Sequence, residues 1–208
     1  MLENIKINPE FERLIPPLTD DEYETLKKDI LSAGEIYLPI FVWNGYIVDG
    51  HHRFKILTEH QYIKFRIIEK EFANNSDAIS WICNNQLGRR NLTPENRKYL
   101  IGKRYEFEKN TYGAVDRFRG NQYQKVPEGN SHRTREKIAK ETGTSDGYVH
   151  RAYEFTKGVD VAEELLPGIK EEILSGKLKK NAEEISVISR IPIEARKSLS
   201  DILRCRNA

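Results

Sequence analysis

Apolar residues follow two different periods along this chain. Near the front, Leu38-Pro39-Ile40-Phe41-Val42-Trp43 and Tyr46-Ile47-Val48-Asp49 are short apolar runs on either side of Asn44-Gly45. Asn-Gly readily adopts the positive φ angles of a tight hairpin, so the runs predict paired strands with Pro39 at the start or edge of the first. Ile63, Phe65 and Ile67 alternate with Lys64 and Arg66, which predicts another strand between Tyr62 and Phe72. Tyr23, Leu26, Ile30 and Leu31 recur at helical spacing, between a capping pattern at Thr19 and Glu22 and a stop at Gly34. Further helices are expected from His51 to about His60 and from Ser76 through Ile79, Trp81, Ile82 and Cys83. Residues 1–18, with Pro9, Pro16 and Pro17, predict extended or looped chain.

From Asn84 onward the only period is helical. Thr93 caps a helix with Pro94 at its first position, running through Leu100, Ile101, Tyr105 and Phe107. Residues 110–132 are polar, rich in Gly and Asn, and aperiodic, which predicts a linker or mobile loop. Ile138 and Ala139 then mark one buried helix face, Thr142-Gly143-Thr144 a turn, and Ser145 the cap of a second helix whose inner residues are Val149 and Ala152. That is the pattern of a helix-turn-helix. Short helices are expected at about 159–166, 168–175, 181–189 and 193–204. The fold class is therefore α+β, a small mixed-sheet domain followed by an all-α domain. The expected domains are residues 1–85, residues 86–157 with a basic hinge, linker and helix-turn-helix, and a C-terminal helical segment at 158–208.

Charge sharpens this division. Residues 86–137 carry 13 Lys and Arg against 6 Asp and Glu, whereas residues 1–85 carry 9 against 14 and residues 138–208 carry 12 of each. A basic middle segment suits nucleic-acid phosphates, or else forms a solvated face. No apolar run approaches the ~18 residues of a membrane span. The first residues lack the pattern of a signal peptide. Cys83 and Cys205 make neither a disulfide framework nor a zinc motif, and a reducing cytoplasm is the expected location.

The chemistry concentrates in Asp49-Gly50-His51-His52-Arg53, where a strand opens at once into a helix. Free N–H groups and the positive end of the helix dipole favour an anion there, and Gly50 permits close approach. The plain alternative is a structural turn with Asp49 as the cap. His51, His52 and His60 do not share a face suited to zinc, so no metal is expected. In the basic segment, Arg90, Arg97 and Arg104 are candidates for DNA phosphate, together with Ser145, Tyr148, His150 and Arg151 on the second helix of the turn motif. Arg151 is the expected base reader.

Three stretches stand in order ahead of that motif: Leu38-Pro39-Ile40-Phe41-Val42, Asp49-Gly50-His51-His52-Arg53, and Asn85-Gln86-Leu87-Gly88-Arg89-Arg90-Asn91-Leu92-Thr93-Pro94. Together they resemble the ParB/sulfiredoxin-like N-terminal domain of partition proteins with its DNA-binding helical domain, over roughly residues 5–157. The resemblance implies a pocket for cytidine triphosphate in which Gly50, His51, His52 and Arg53 hold phosphates, Pro39 and Ile40 lie beside base and sugar, and Arg89 also reaches phosphate. The chain departs from the family pattern at His51-His52, where Glu-Arg is usual, and at Asn85 and Gln86, where the magnesium-holding Glu-Asn pair is expected. A hard cation prefers carboxylate oxygen, so the case for magnesium is weak.

The resemblance implies a ParB-like DNA-binding protein acting in plasmid or phage partition, replication control or transcription. Its partners would be double-stranded DNA, a second copy of the chain as a homodimer, and a partition ATPase. An anion at the turn would act on the hinge at 84–92. Binding rather than turnover is expected, with weak nucleotide hydrolysis left open. The other reading is an enzyme using the same turn for phosphoryl transfer, resembling the ADP-dependent free-serine kinases, with Glu12 as base, or for nuclease chemistry; Asp49, Glu35 and Glu12 are the carboxylates placed to serve it. CTP and ADP are the corresponding nucleotides.

Overall fold

A computed structural model describes residues 4–117, 129–178 and 181–192; the side chains at 110–117 and 129–131 lie outside the description. The chain forms two compact units, Met1–Gln86 and Leu87–Ala208.

The first unit is built on a three-stranded sheet of order β2-β1-β3. Strands β1 (Ile40–Trp43) and β2 (Tyr46–Asp49) pair antiparallel across the Asn44-Gly45 turn, whose φ angles are 48° and 78°. A register shift between Phe41 and Val42 sets Phe41 opposite Asp49. Strand β3 (Ile67–Glu69) pairs parallel to β1. The expected strand at 62–72 is thus shorter than its alternation suggested. Ile63 enters the core and Lys64 makes only an isolated bridge to Glu35.

Alternation along β1 covers both sheet faces. Ile40 and Val42 join Ile30, Ile36, Ile47, Phe54, Ile56, Leu57 and Ile63 in one core, contributed partly by α2 (Asp20–Ala33) and α3 (His51–Glu59). Phe41 meets Trp81 and Trp43 meets Phe72 on the other face, the former from α4 (Asn75–Leu87). Thr19 and Glu22 form the expected capping box, and Gly34 ends α2 in the left-handed region. The prolines near the front do not exclude helix. Asn8 caps the short α1 (Pro9–Glu12), where Pro9 occupies the opening turn and its missing N–H costs no helical bond. The cap of α4 also differs: Asn74, not Ser76, accepts the Asp77 N–H at 3.0 Å.

The second unit is helical throughout its described elements: α5 (Pro94–Arg117), α6 (Gly129–Thr142), α7 (Asp146–Leu165), α8 (Ile169–Leu174) and α9 (Ala182–Ile188). Two expectations change. The predicted linker is narrower, because 110–117 continue α5 and 129–132 begin α6, while 118–128 lie outside the described residues. The expected helix at 159–166 is the rear half of α7, so residue 157 falls inside a continuous helix. The expected helix at 193–204 lies outside the described residues.

Ile138, Ala139, Val149 and Ala152 are buried as predicted, against Ile101 and Tyr105 of α5. Two glycines let helices touch backbone to backbone. A Cβ on Gly102 would stand 2.3 Å from the Ala152 carbonyl oxygen, and one on Gly158 would stand 1.9 Å from that of Ile185. The α7–α9 seam therefore depends on the absence of a side chain. Gly158→Ala should destabilise the full chain by about 1–3 kcal/mol, the usual range for overpacking a closed contact. Urea denaturation checks this, and an unchanged midpoint would show that α9 is not held in this way.

Candidate functional site

The strand–helix turn is organised by Gly50 and Arg53. Gly50 is the N-cap of α3 at φ 100°, a conformation other residues rarely adopt. A Cβ there would meet Arg53 Nη2 at 3.0 Å and Ile40 Cγ1 at 3.3 Å. Glycine thus permits both the backbone turn and the passage of the guanidinium across it. Arg53 Nη2 donates to Asp49 Oδ2 at 3.0 Å and to the Pro39 carbonyl at 3.2 Å. Asp49 also accepts from Gln86 Nε2 at 3.4 Å. The N-cap position of α3 is Gly50, which has no side chain to cap with, and the acidic residue before it is Asp49. Its carboxylate orients the arginine, because a buried carboxylate is retained where cationic and amide donors meet it.

Two residues expected beside a ligand belong to the interior. Ile40 is fully buried, so its side chain serves the core rather than a ligand sugar. His51 is 2% exposed, and neither ring nitrogen has a hydrogen-bond partner in the protein. Burial pushes its pKa down to about 4, against the opposing charges of Glu12 and Asp49. A neutral, enclosed ring is not a cationic phosphate ligand, which corrects that expectation for His51 and leaves its backbone at the helix start. His52 is half-buried in the same first turn.

A cleft of about 190 Å³ opens beside Arg53, with walls that include Leu26, Ile30, Ala33, Ile36 and Leu38. Asp29 and Glu35 also border it, as does Tyr37. Tyr37 and Leu38 are 68% and 65% exposed. Of this lining the sequence reading named Arg53 as a site residue and placed Leu38 in its first motif; Tyr37 is the exposed residue it missed. The available signal was two large apolar residues directly before Pro39, at a strand start where they do not enter the sheet. Of the carboxylates weighed for catalysis, Glu12 is paired with Lys55 at 2.8 Å, Asp49 is paired with Arg53, and Glu35 borders the cleft.

Magnesium does not fit the residues that the resemblance assigns to it. Asn85 is exposed, while Gln86 is buried and turns its amide nitrogen to Asp49. Among the described residues no three His, Cys, Asp or Glu groups come together in a way that could hold a metal ion.

In the second unit, α6 and α7 meet at Gly143, where φ is 66°. Ser145 accepts the Tyr148 N–H at 3.1 Å, the cap expected of it. His150 and Arg151 are exposed and Tyr148 is half-buried. Arg97 donates to the Thr142 carbonyl at 2.8 Å, bracing the end of α6. Arg104 must be removed from the DNA candidates. It is 2% exposed and ion-paired with Glu108 at 2.6 Å and with Glu141, while Lys137 reaches Glu108 at 3.2 Å. An arginine spent on two carboxylates inside the unit is not available to phosphate. Lys98, on the same basic helix, has its ammonium 5.1 Å from the Phe155 ring centre. Burial and the neighbouring Arg151 charge lower its pKa. Arg89 and Arg90 are exposed between α4 and α5. No described helix is long and apolar enough to cross a membrane.

No family model matches the sequence, and no curated protein does. Solved structures do match. One crystal form of a pNOB8-like ParB N-domain aligns at 16% identity over 97% of this chain and 95% of that one, with a TM-score of 0.54. A second pNOB8-like ParB N-domain structure aligns at 14% identity over 99% and 94%, with a TM-score of 0.51. The C-terminally truncated chromosome-partitioning protein ParB from Caulobacter crescentus, complexed with CTP-gamma-S, aligns at 15% identity over 97% and 95%, with a TM-score of 0.36. The chain has the α+β fold of the ParB N-domain.

His51 links the turn to acid stability. Its folded pKa lies below the ordinary 6.5, so the unfolded chain binds the extra proton first. Its contribution is present above pH 6.5 and is lost on acidification toward pH 4, by on the order of 3 kcal/mol. In urea melts across this window, His51→Phe should flatten the slope. An unchanged slope would show that His51 is not the titrating group.

Proposed function

We propose that this chain, folded as a ParB N-domain, is a ParB-like DNA-binding protein whose α6–α7 unit is a helix-turn-helix. The observation that carries this reading is the outer surface of α7. Its first turns expose His150 and Arg151 from a serine-capped, glycine-turned start, in the polar environment where a recognition helix meets base edges. Arg151 lies close enough to disfavour the charge on Lys98, an arrangement that a polyanion relieves. Ser145 and Tyr148 supply backbone or base-edge contacts, Arg90 adds phosphate contact, and Arg97 supports the turn. The protein acts in partition, replication control or transcription as a homodimer in the cytoplasm, with a partition ATPase as partner in the first case. The domain limits of this reading place the ligand domain at 1–85, the DNA-binding domain at 86–157 and a helical segment at 158–208.

The turn at Gly50–Arg53 is in this reading an anion site. Arg53 at the edge of a largely apolar cleft suits a phosphate joined to a ring, the chemistry of a nucleotide such as CTP or ADP. Phosphoryl transfer is the weaker reading, since Asp49 and Glu12 are both held by cations, which leaves it Glu35 at the cleft.

Fluorescence anisotropy with duplex DNA tests the proposal. Arg151→Ala should cost about 1–3 kcal/mol of specific binding and relax base preference. Lys98→Ala should weaken all duplexes alike and reduce the salt slope by about one. Equal binding by wild type and both variants across salt would overturn the assignment of this face.

A further inference from the structure

Gln86 is an amide in the interior of the first unit, with no exposed surface. Its Nε2 lies 3.4 Å from Asp49 Oδ1, and its Oε1 has no hydrogen-bond partner in the protein. The orientation follows from charge. Turning the amide over would set its oxygen against the Asp49 carboxylate, so Asp49 dictates that the nitrogen faces inward. The other oxygen of Asp49 takes the Arg53 guanidinium, which shares the same nitrogen with the Pro39 carbonyl. Gly50 leaves the groove through which that guanidinium passes. Four elements thus meet in one relay: the end of α4, the end of β2, the start of α3 and the residue before β1.

A carboxylate at 8% exposure has to be compensated. A divalent cation is one solution, and it requires further oxygen ligands of negative charge. Here the compensation includes an arginine and an amide N–H. A donor at Gln86 and a cation would compete for the same oxygen.

We propose that Gln86 is the positioning residue of this turn, holding Arg53 over Gly50 through Asp49, and that this relay replaces a divalent cation, so that the turn engages anions without magnesium. The last clause rests on the reading of the turn as an anion site; the relay itself does not.

Two ligand-free measurements on the full chain decide the relay. Hydrogen exchange at the Arg53 Nη–H groups, assigned by loss of their NMR signals in Arg53→Lys, should quicken on the order of tenfold in Gln86→Met, the effect of losing one hydrogen bond to a charged group. Unchanged exchange overturns the positioning role. If that variant does not fold, Gln86→Leu carries the same readout, with thermal melts monitoring both. Calorimetric titration with magnesium alone should give no binding to wild type and measurable binding to Gln86→Glu, which sets two carboxylates side by side. Wild-type binding that Asp49→Asn abolishes overturns the replacement. A third measurement addresses the anion site separately. Inorganic pyrophosphate should bind with equal affinity in EDTA and in magnesium, and about tenfold more weakly to Gln86→Met. A requirement for magnesium overturns the proposal. Failure of pyrophosphate to bind under either condition rejects the anion site, while exchange and magnesium titration still decide the relay.

Discussion

The ion pair between Asp49 and Arg53 governs the first unit, because it joins what the sheet delivers to what the helix begins. Asp49 closes β2, Arg53 lies in the first turn of α3, and the residue between them that matters is Gly50. A side chain at Gly50 would displace the guanidinium and press on Ile40 of the central strand. Sheet, turn and helix are thus tied by one charged contact at low exposure, where a lone charge would be costly. The cleft lies beside this contact, with Arg53 as part of its wall.

The second unit solves a related problem with larger numbers of charges. Arg104, Glu108, Glu141 and Lys137 make a partly buried network linking α5 to α6. Glycines at 102 and 158 bring α7 against its neighbours at backbone distance. The glycine contacts hold α7 directly and the charge network joins two helices it packs against, so its exposed residues are presented by a supported helix.

Much of this was legible in the residues because local rules governed it. The Asn44-Gly45 turn, the Thr19–Glu22 box, the Gly34 stop and the buried face of Ile138, Ala139, Val149 and Ala152 each depend on neighbours close in sequence. What escaped depends on partners distant in sequence. Arg104 reads as one cation in a basic run until Glu141 is brought to it, and Gln86 reads as neutral filler until Asp49 lies beside it. His51 shows the same limit. Its burial comes from the fold around it, and no local pattern separates it from the half-buried His52. Pro9 failed differently: its effect on helix depends on whether it sits at the first turn or inside.

The continuity of α7 carries a consequence of its own. Its 20 residues span on the order of 30 Å, with Arg151 near one end and Gly158 at the seam with α9. A helix of this kind has a phase as well as a length. Each residue turns the following ones by about 100°, so a single insertion between 152 and 157 would swing the outward residues away from their present side while leaving composition and charge almost untouched. The spacing from Tyr148 and Arg151 to Gly158 is therefore constrained as tightly as the identity of any of the three. Substitution along the outer face of α7 is a small change, whereas a one-residue insertion is a rotation of the whole presenting surface.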